Sequence, residues 1–229
     1  MFLLYRKLTD IFVRLWDWLR LLPIRIMRIA LHLWNAILFF SPWATHWQQP
    51  FSGIDKGYTL VNWSTEFFFY LMDLFGVAEI YETIIDFVKF NTRPLTIEEI
   101  RLAQTIFGES LHYRRIRLDE AAYAGPKQQH FAYVSFFTVN SWGNLRESIF
   151  LHELTHVWQY QQLGAVYIPR ALRAQFSKAG YNYGGLPQLH DFYKNKKKLE
   201  DFNLEQQADI IADYHRLKTG YKPLSLIHI

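Results

Sequence analysis

The stretch IFLHELTHVWQYQQL, residues 149–163, decides how the chain is read. It follows turn-forming residues at Asn140–Asn144, and its pattern predicts a helix over about 145–163. His152 and His156 stand four apart, one above the other on a single helix face. Two imidazoles at that spacing can reach one tetrahedral ion at about 2.0–2.1 Å each. Glu153 points roughly 100° away round the axis, beside such an ion and not onto it. A carboxylate there can take a proton from a water that the metal polarises, whose pKa falls to about 7. The flanks Ile149, Phe150, Leu151, Leu154, Val157 and Trp158 are apolar, so this helix is buried and its polar side chains need partners.

Downstream, Glu205-Gln206-Gln207-Ala208-Asp209 opens a helix predicted over about 203–217, with Glu205 and Asp209 on one face. Two histidines and one carboxylate leave the fourth position of a zinc ion open, as catalysis requires. Asp209, one turn on, can accept a hydrogen bond from the far nitrogen of a ligating histidine and orient it. The chain has no cysteine, so any transition metal must be held by His, Asp or Glu. A hydrolytic site also needs a group to steady an oxyanion. Tyr181 and Tyr183, on the glycine-bounded loop 180–185, and His190 are the candidates. Tyr214, nine residues after Glu205, falls half a turn out of phase and faces away.

These two segments resemble the gluzincin clan of metallopeptidases, with HELTH as its HExxH and Glu205-x-x-x-Asp209 as its second-helix pattern. The resemblance implies a zincin-like fold and one Zn2+ held by His152, His156 and Glu205. Glu153 would be its general base, with Asp209 supporting a ligand. Leu204 stands where the clan often has Asn, and the 49-residue step from His156 to Glu205 is longer than in thermolysin-like members. Three segments carry a second likeness: Arg93–Leu118, His152–Gln161 and Phe202–Tyr214. They resemble a bacterial group of small zinc peptidase-like proteins related to a domain of unknown function in contractile injection systems. Some of that group are encoded beside type VI secretion spike genes. This likeness covers roughly Arg93 to Leu217 and implies a bacterial envelope or secretion setting, with a cytoplasmic location as the alternative.

Composition sets the frame for the rest. Half of the 229 residues are hydrophobic, enough for a substantial core, and the net charge of +4 is mild. The basic excess belongs to the first forty residues, where Arg6, Lys7, Arg14, Arg20, Arg25 and Arg28 face only Asp10 and Asp17. No nucleic-acid-binding signature accompanies it, and the run KNKKK (194–198) reads as a solvated loop. Residues 1–92 read as helical and aromatic-rich: a helix over 2–22 interrupted by Pro23, a second over 24–40 stopped by Pro42, and a loop over 46–60. Two more helices are predicted near 64–75 and 78–90, separated at Gly76. Thr96-Ile97-Glu98-Glu99 is a capping box opening a helix to about Phe107. Tyr113–Leu118 and His130–Thr138 read as strands, and Pro169 suits the first turn of a short helix. The expected architecture is therefore α+β: a helical region over 1–92, then a zincin-like zinc domain over 93–229.

Two readings of function follow. In the first the chain is a zinc-dependent metallopeptidase acting on a peptide or peptidoglycan-type substrate. In the second it is a structural or assembly protein of a secretion apparatus that keeps the metal site for stability. A toxin delivered to a rival cell would differ from the first only in its target. Residues 1–45, with apolar faces, narrow basic stripes and tryptophans, suggest contact with a membrane. The alternative is that these helices pack on the zinc domain as ordinary core.

Overall fold

The computed structural model describes residues 2–40, 59–89, 91–122 and 132–221, with the side chains of the first helix described over 7–36. Trp43, Trp47, the stop at Pro42 and most of the loop read over 46–60 lie outside the described residues. So do residues 130 and 131 of the strand read from His130. The described chain is mixed α+β, with eight α-helices and one small sheet.

Most helix boundaries follow the sequence signals. Thr96 caps α4 (Ile97–Phe107): its hydroxyl accepts from the Glu99 amide while the Glu99 carboxylate accepts from the Thr96 amide. Gly76, in the left-handed region at φ 68°, divides α2 (Leu60–Leu74) from α3 (Val77–Val88). A Cβ at Gly76 would lie 2.8 Å from the Trp18 ring, so glycine is required twice over there. Pro169 sits in the first turn of α6 (Tyr167–Gln175). One helix was not read from the sequence, α7 (Gly185–Lys194).

The first helix corrects an expectation. α1 (Phe2–Phe40) runs through Pro23 without a break. Proline inside a helix costs about 3 kcal/mol, so contacts on both sides of it must keep the helix continuous. Before Pro23, Arg14 pairs with Glu82 and Asp86 of α3, and Asp17 with Arg115. After it, Arg25 pairs with Glu79 and Arg28 with Asp73. The polar stripe is thus in phase through the proline, and it faces the interior of the protein.

The sheet has the order β1-β2-β4-β3. β1 (Arg93–Pro94) is antiparallel to β2 (Arg117–Asp119), β2 is parallel to β4 (Thr138–Ser141), and β4 is antiparallel to β3 (Ala132–Ser135). The strand expected over 113–118 is shorter and later, because Tyr113–Arg115 forms a turn of 3-10 helix. The strand expected over 130–138 is a hairpin that reverses at Phe136-Phe137. Phe136 adopts φ 59°, unfavourable for an aromatic residue, and its ring is held against Tyr160 and Tyr81 at 5.3 and 5.6 Å.

Behind the sheet lies α5 (Glu147–Leu163), with Leu151, Leu154 and Val157 fully buried. Its main partner is α8 (Leu204–Lys218), and α6 packs on both. The end of α5 is held by the N-terminal helices. Arg28 donates to the Gln162 carbonyl at 2.6 Å, and a Cβ on Gly164 would meet Asp73 and Arg28. Cations are favoured at helix C-termini, where carbonyls lack partners. Among the described residues no helix is long and apolar enough to cross a membrane.

Glu82 makes this packing sensitive to pH. It is buried between α1 and the sheet and accepts from the Phe137 amide at 2.9 Å. Burial pushes its carboxyl up to about 7, against the pull of Arg115 and Arg14. The folded state therefore holds a proton that the unfolded chain releases near pH 4.5, and stability falls as pH rises from there to about 7. Glu82→Gln keeps an acceptor for Phe137 but does not titrate. Urea unfolding at pH 5 and pH 8 should find the stability gap between the two pH values smaller in Glu82→Gln, by on the order of 3 kcal/mol. Equal gaps in the two proteins would contradict this account.

Candidate metal centre

Three donors meet where α5 crosses α8. His152 and His156 lie one turn apart on α5, their ring centroids 5.0 Å apart. Glu205 comes from the first turn of α8, whose start is set by Asn203: its side chain accepts from the Gln206 amide, and the Gln206 side chain returns the bond. Glu205 Oε2 lies 3.6 Å from His152 Nε2 and 3.3 Å from His156 Nε2. One donor atom from each residue falls within 4.8 Å of the others.

The far nitrogens fix how the rings point. His152 Nδ1 is 3.0 Å from Asp209 Oδ1, and His156 Nδ1 is 2.8 Å from Gln159 Oε1. A carboxylate and an amide oxygen can only accept, so each Nδ1 carries a hydrogen and each Nε2 is the nitrogen that faces Glu205. Gln159 is itself buried, and its amide nitrogen donates to the Leu204 carbonyl at 2.9 Å and to Gln207 at 3.1 Å. Sequence reasoning missed Gln159. The available signal was its place three residues after His156, on the same helix face.

The donor set fits a cation. An ion bound tetrahedrally at about 2.0–2.1 Å holds neighbouring donors about 3.4 Å apart, close to the two separations seen. Glu205 Oε2 is buried and has no hydrogen-bond partner among the described residues, and the same holds for Glu153 Oε2. Burial pushes Glu205 up, but the two imidazoles outweigh it and hold the carboxyl down to about 2. Burial likewise lowers His152, yet Asp209 and Glu205 raise it to about 10. Both shifts have one cause: the pocket is built around a positive charge, which a proton supplies in the absence of a metal. His152, His156 and Glu205 form a group that could hold a metal ion.

Glu153 is buried next to this set, and burial pushes its carboxyl up while the two histidines pull it down. Of the tyrosines, Tyr181 lies nearest, its ring centroid 6.0 Å from that of His152. Its loop is tied down on both sides: Asn203 donates to the Gly180 carbonyl and Gln206 to the Asn182 carbonyl. Tyr183 is buried, and its hydroxyl donates to Asp213 at 2.7 Å. His190 is exposed on α7, and Tyr214 is exposed as its phase on α8 requires. Side-chain exposure rises from His156 at 9% through His152 at 14% to Asp209 at 18%, and Tyr181 beside His152 is exposed, so the site opens on the Tyr181 side.

Tyr167, missed by the sequence reading, closes the opposite side. It is buried with its ring centroid 6.3 Å from that of His156, and its hydroxyl donates to the Val134 carbonyl at 2.8 Å. It thereby links the metal donors to β3, the outer strand of the sheet.

The chain is similar to the type VI secretion system spike protein VgrG2b of Pseudomonas aeruginosa, with 30% identity over 145 residues. The match covers 56% of this chain and spans 13% of that protein's length. No protein-family model matches the chain. No solved structure matches it.

The geometry ranks the residues by their effect on metal content. Glu205→Ala removes a donor atom and should lower metal stoichiometry sharply after dialysis. Asp209→Ala and Gln159→Ala leave all three donors in place but free a ring to turn, so affinity should fall by about 10–100-fold. Competition titration against a chelator measures both effects, and an undiminished affinity in Glu205→Ala would remove that residue from the donor set.

Proposed function

We propose that the chain is a zinc-dependent metallopeptidase, with His152, His156 and Glu205 as ligands and Glu153 as its base. The observation that carries this reading is the Glu153 carboxylate: buried, with an oxygen lacking any hydrogen-bond partner among the described residues, beside three donors that suit one ion. A buried carboxylate oxygen without a partner costs stability, and a role in proton transfer accounts for its presence. Zinc would supply Lewis acidity, polarising a carbonyl and making water a better nucleophile at neutral pH. Glu153 would take the proton of the attacking water at Oε2 and pass it to the leaving amine. Asp209 and Gln159 would keep both imidazoles in the Nδ1–H form throughout. The Tyr181 hydroxyl, at the open side, would donate to the developing oxyanion.

A peptide or a peptidoglycan-type stem is the substrate class that suits β3, an edge strand linked to the site through Tyr167. An extended chain can add to such an edge by backbone hydrogen bonds. Similarity to a type VI secretion spike protein favours an envelope or secretion setting, with the target either a cell-wall peptide or a protein of a rival cell. A purely structural metal would more often be closed by four protein ligands, and among the described residues three come together here.

Glu153→Gln separates binding from chemistry. With zinc-loaded protein and a panel of peptides and peptidoglycan fragments, this variant should keep its metal and lose turnover. Tyr181→Phe should lower kcat by about 100-fold with little change in KM. Full activity in Glu153→Gln would refute the mechanism, and loss of its metal would make Glu153 a ligand instead.

A further inference from the structure

The polarity of α1, α2 and α3 is inverted. Of the twelve charged side chains described on these helices, eleven are buried or half-buried, and Arg20 alone is exposed. The inward charges are paired: Lys7 with the Asp86 carbonyl, Asp10 with Arg117 at 3.1 Å, Asp17 with Arg115 at 3.3 Å, and Glu66 with Arg170 at 2.7 Å. The outward faces are apolar. On α1, Phe12 is 71% exposed and Trp16 66%, followed by Ile26, Met27, Leu31 and Trp34, all above half. The inversion continues on α2 at Val61 and Phe68 and on α3 at Ile80 and Ile84.

In water this arrangement loses on both counts. Removing ion pairs from solvent costs several kcal/mol per ion before their attraction repays it, and each large apolar side chain left in water forgoes about 1.5–3 kcal/mol. Against hydrocarbon both terms change sign, because charges belong inside and apolar groups outside. A second copy of the chain is a poorer fit. A seam between two helices uses two positions in seven, whereas the exposed apolar positions of α1 fan over more than half of its circumference. Among the described residues the outer surface also has the charge pattern of a lipid contact: none but Arg20, which can reach a phosphate.

We propose that the α1–α3 layer docks on a lipid bilayer, its outward side chains among the acyl chains and Arg20 at the headgroup phosphates. The layer lies along the membrane and does not cross it. At 1.5 Å per residue, α2 and α3 are about 22 and 18 Å long, short of the roughly 30 Å of hydrocarbon. The basic stripe read from the sequence is not what meets the lipid, since it faces the protein.

Flotation of the full-length chain with vesicles tests this, using phosphatidylcholine alone and phosphatidylcholine mixed with phosphatidylglycerol. The chain should float with both, and high salt should not release it from phosphatidylcholine. Replacing Trp16 and Trp34 together by serine, on the outward face, should lower partitioning by roughly 100-fold, with metal uptake unchanged as the check on folding. Glu153→Gln should float like the parent, so the outcome is independent of the hydrolase reading. A chain that stays unbound to both vesicles, or forms a discrete dimer in their place, overturns the proposal. So does binding restricted to anionic vesicles and reversed by salt, or flotation undiminished in the tryptophan variant.

Discussion

The crossing of α5 over α8 is the contact on which the rest depends, and Gln159 is the side chain that fixes it. A glutamine buried between two helices must satisfy its oxygen and its nitrogen or cost the protein stability. Gln159 does so with three partners at once: His156 on its own helix, and the Leu204 carbonyl and Gln207 on the other. Sliding α8 by one residue would break two of these bonds. It would also turn Glu205 by about 100° away from the histidines. The register of two helices and the tautomer of one imidazole are therefore set together.

The N-terminal helices contribute to the same register from a distance. α5 ends where Arg28 caps the Gln162 carbonyl and where Gly164 leaves room for Asp73. Arg28 is in turn placed by α1, whose stripe runs through Arg25 and Arg14 to acids on α3. Glu82 belongs to both systems, facing Arg14 on one side and the turn of the β3–β4 hairpin on the other. The hairpin carries Val134, which Tyr167 ties back to the metal donors. Contacts thus run from α1 through the sheet and α5 to the site.

What was legible in the sequence was whatever local chemistry dictates. HELTH placed two imidazoles on one face, and Glu205 with Asp209 on one face of another helix, because helical periodicity alone does that. The capping box at Thr96 and the break at Gly76 were legible for the same reason. Pro23 misled because its penalty is local while its compensation, the pairs of Asp17 and Arg25, is tertiary. The hairpin at Phe136 carries no glycine or asparagine to announce a positive φ, and packing against Tyr160 and Tyr81 makes it tolerable. α7 opens with a proline in its first turn and spaces Leu186, Leu189 and Tyr193 as a helix does, but it follows directly on the glycine-rich stretch 180–185, which reads as loop. Tyr183 was placed correctly on its loop, but which of two tyrosines turns toward the donors depends on Asp213, thirty residues on.

The orientation of α1 shows a more general limit. A helix with one charged stripe and one apolar stripe satisfies periodicity equally well with either side inward. The usual choice buries the apolar side, and composition alone would favour it here. The deciding facts are elsewhere in the chain: Glu66 and Asp73 at buried positions of α2, Glu79, Glu82 and Asp86 at buried positions of α3, and Arg115 and Arg117 at the sheet. Each inward charge on α1 meets an opposite charge or a carbonyl from one of these elements, so the stripe is complementary to a surface and not merely polar. Periodicity fixes which residues share a face. Only the partner element determines which face is inside.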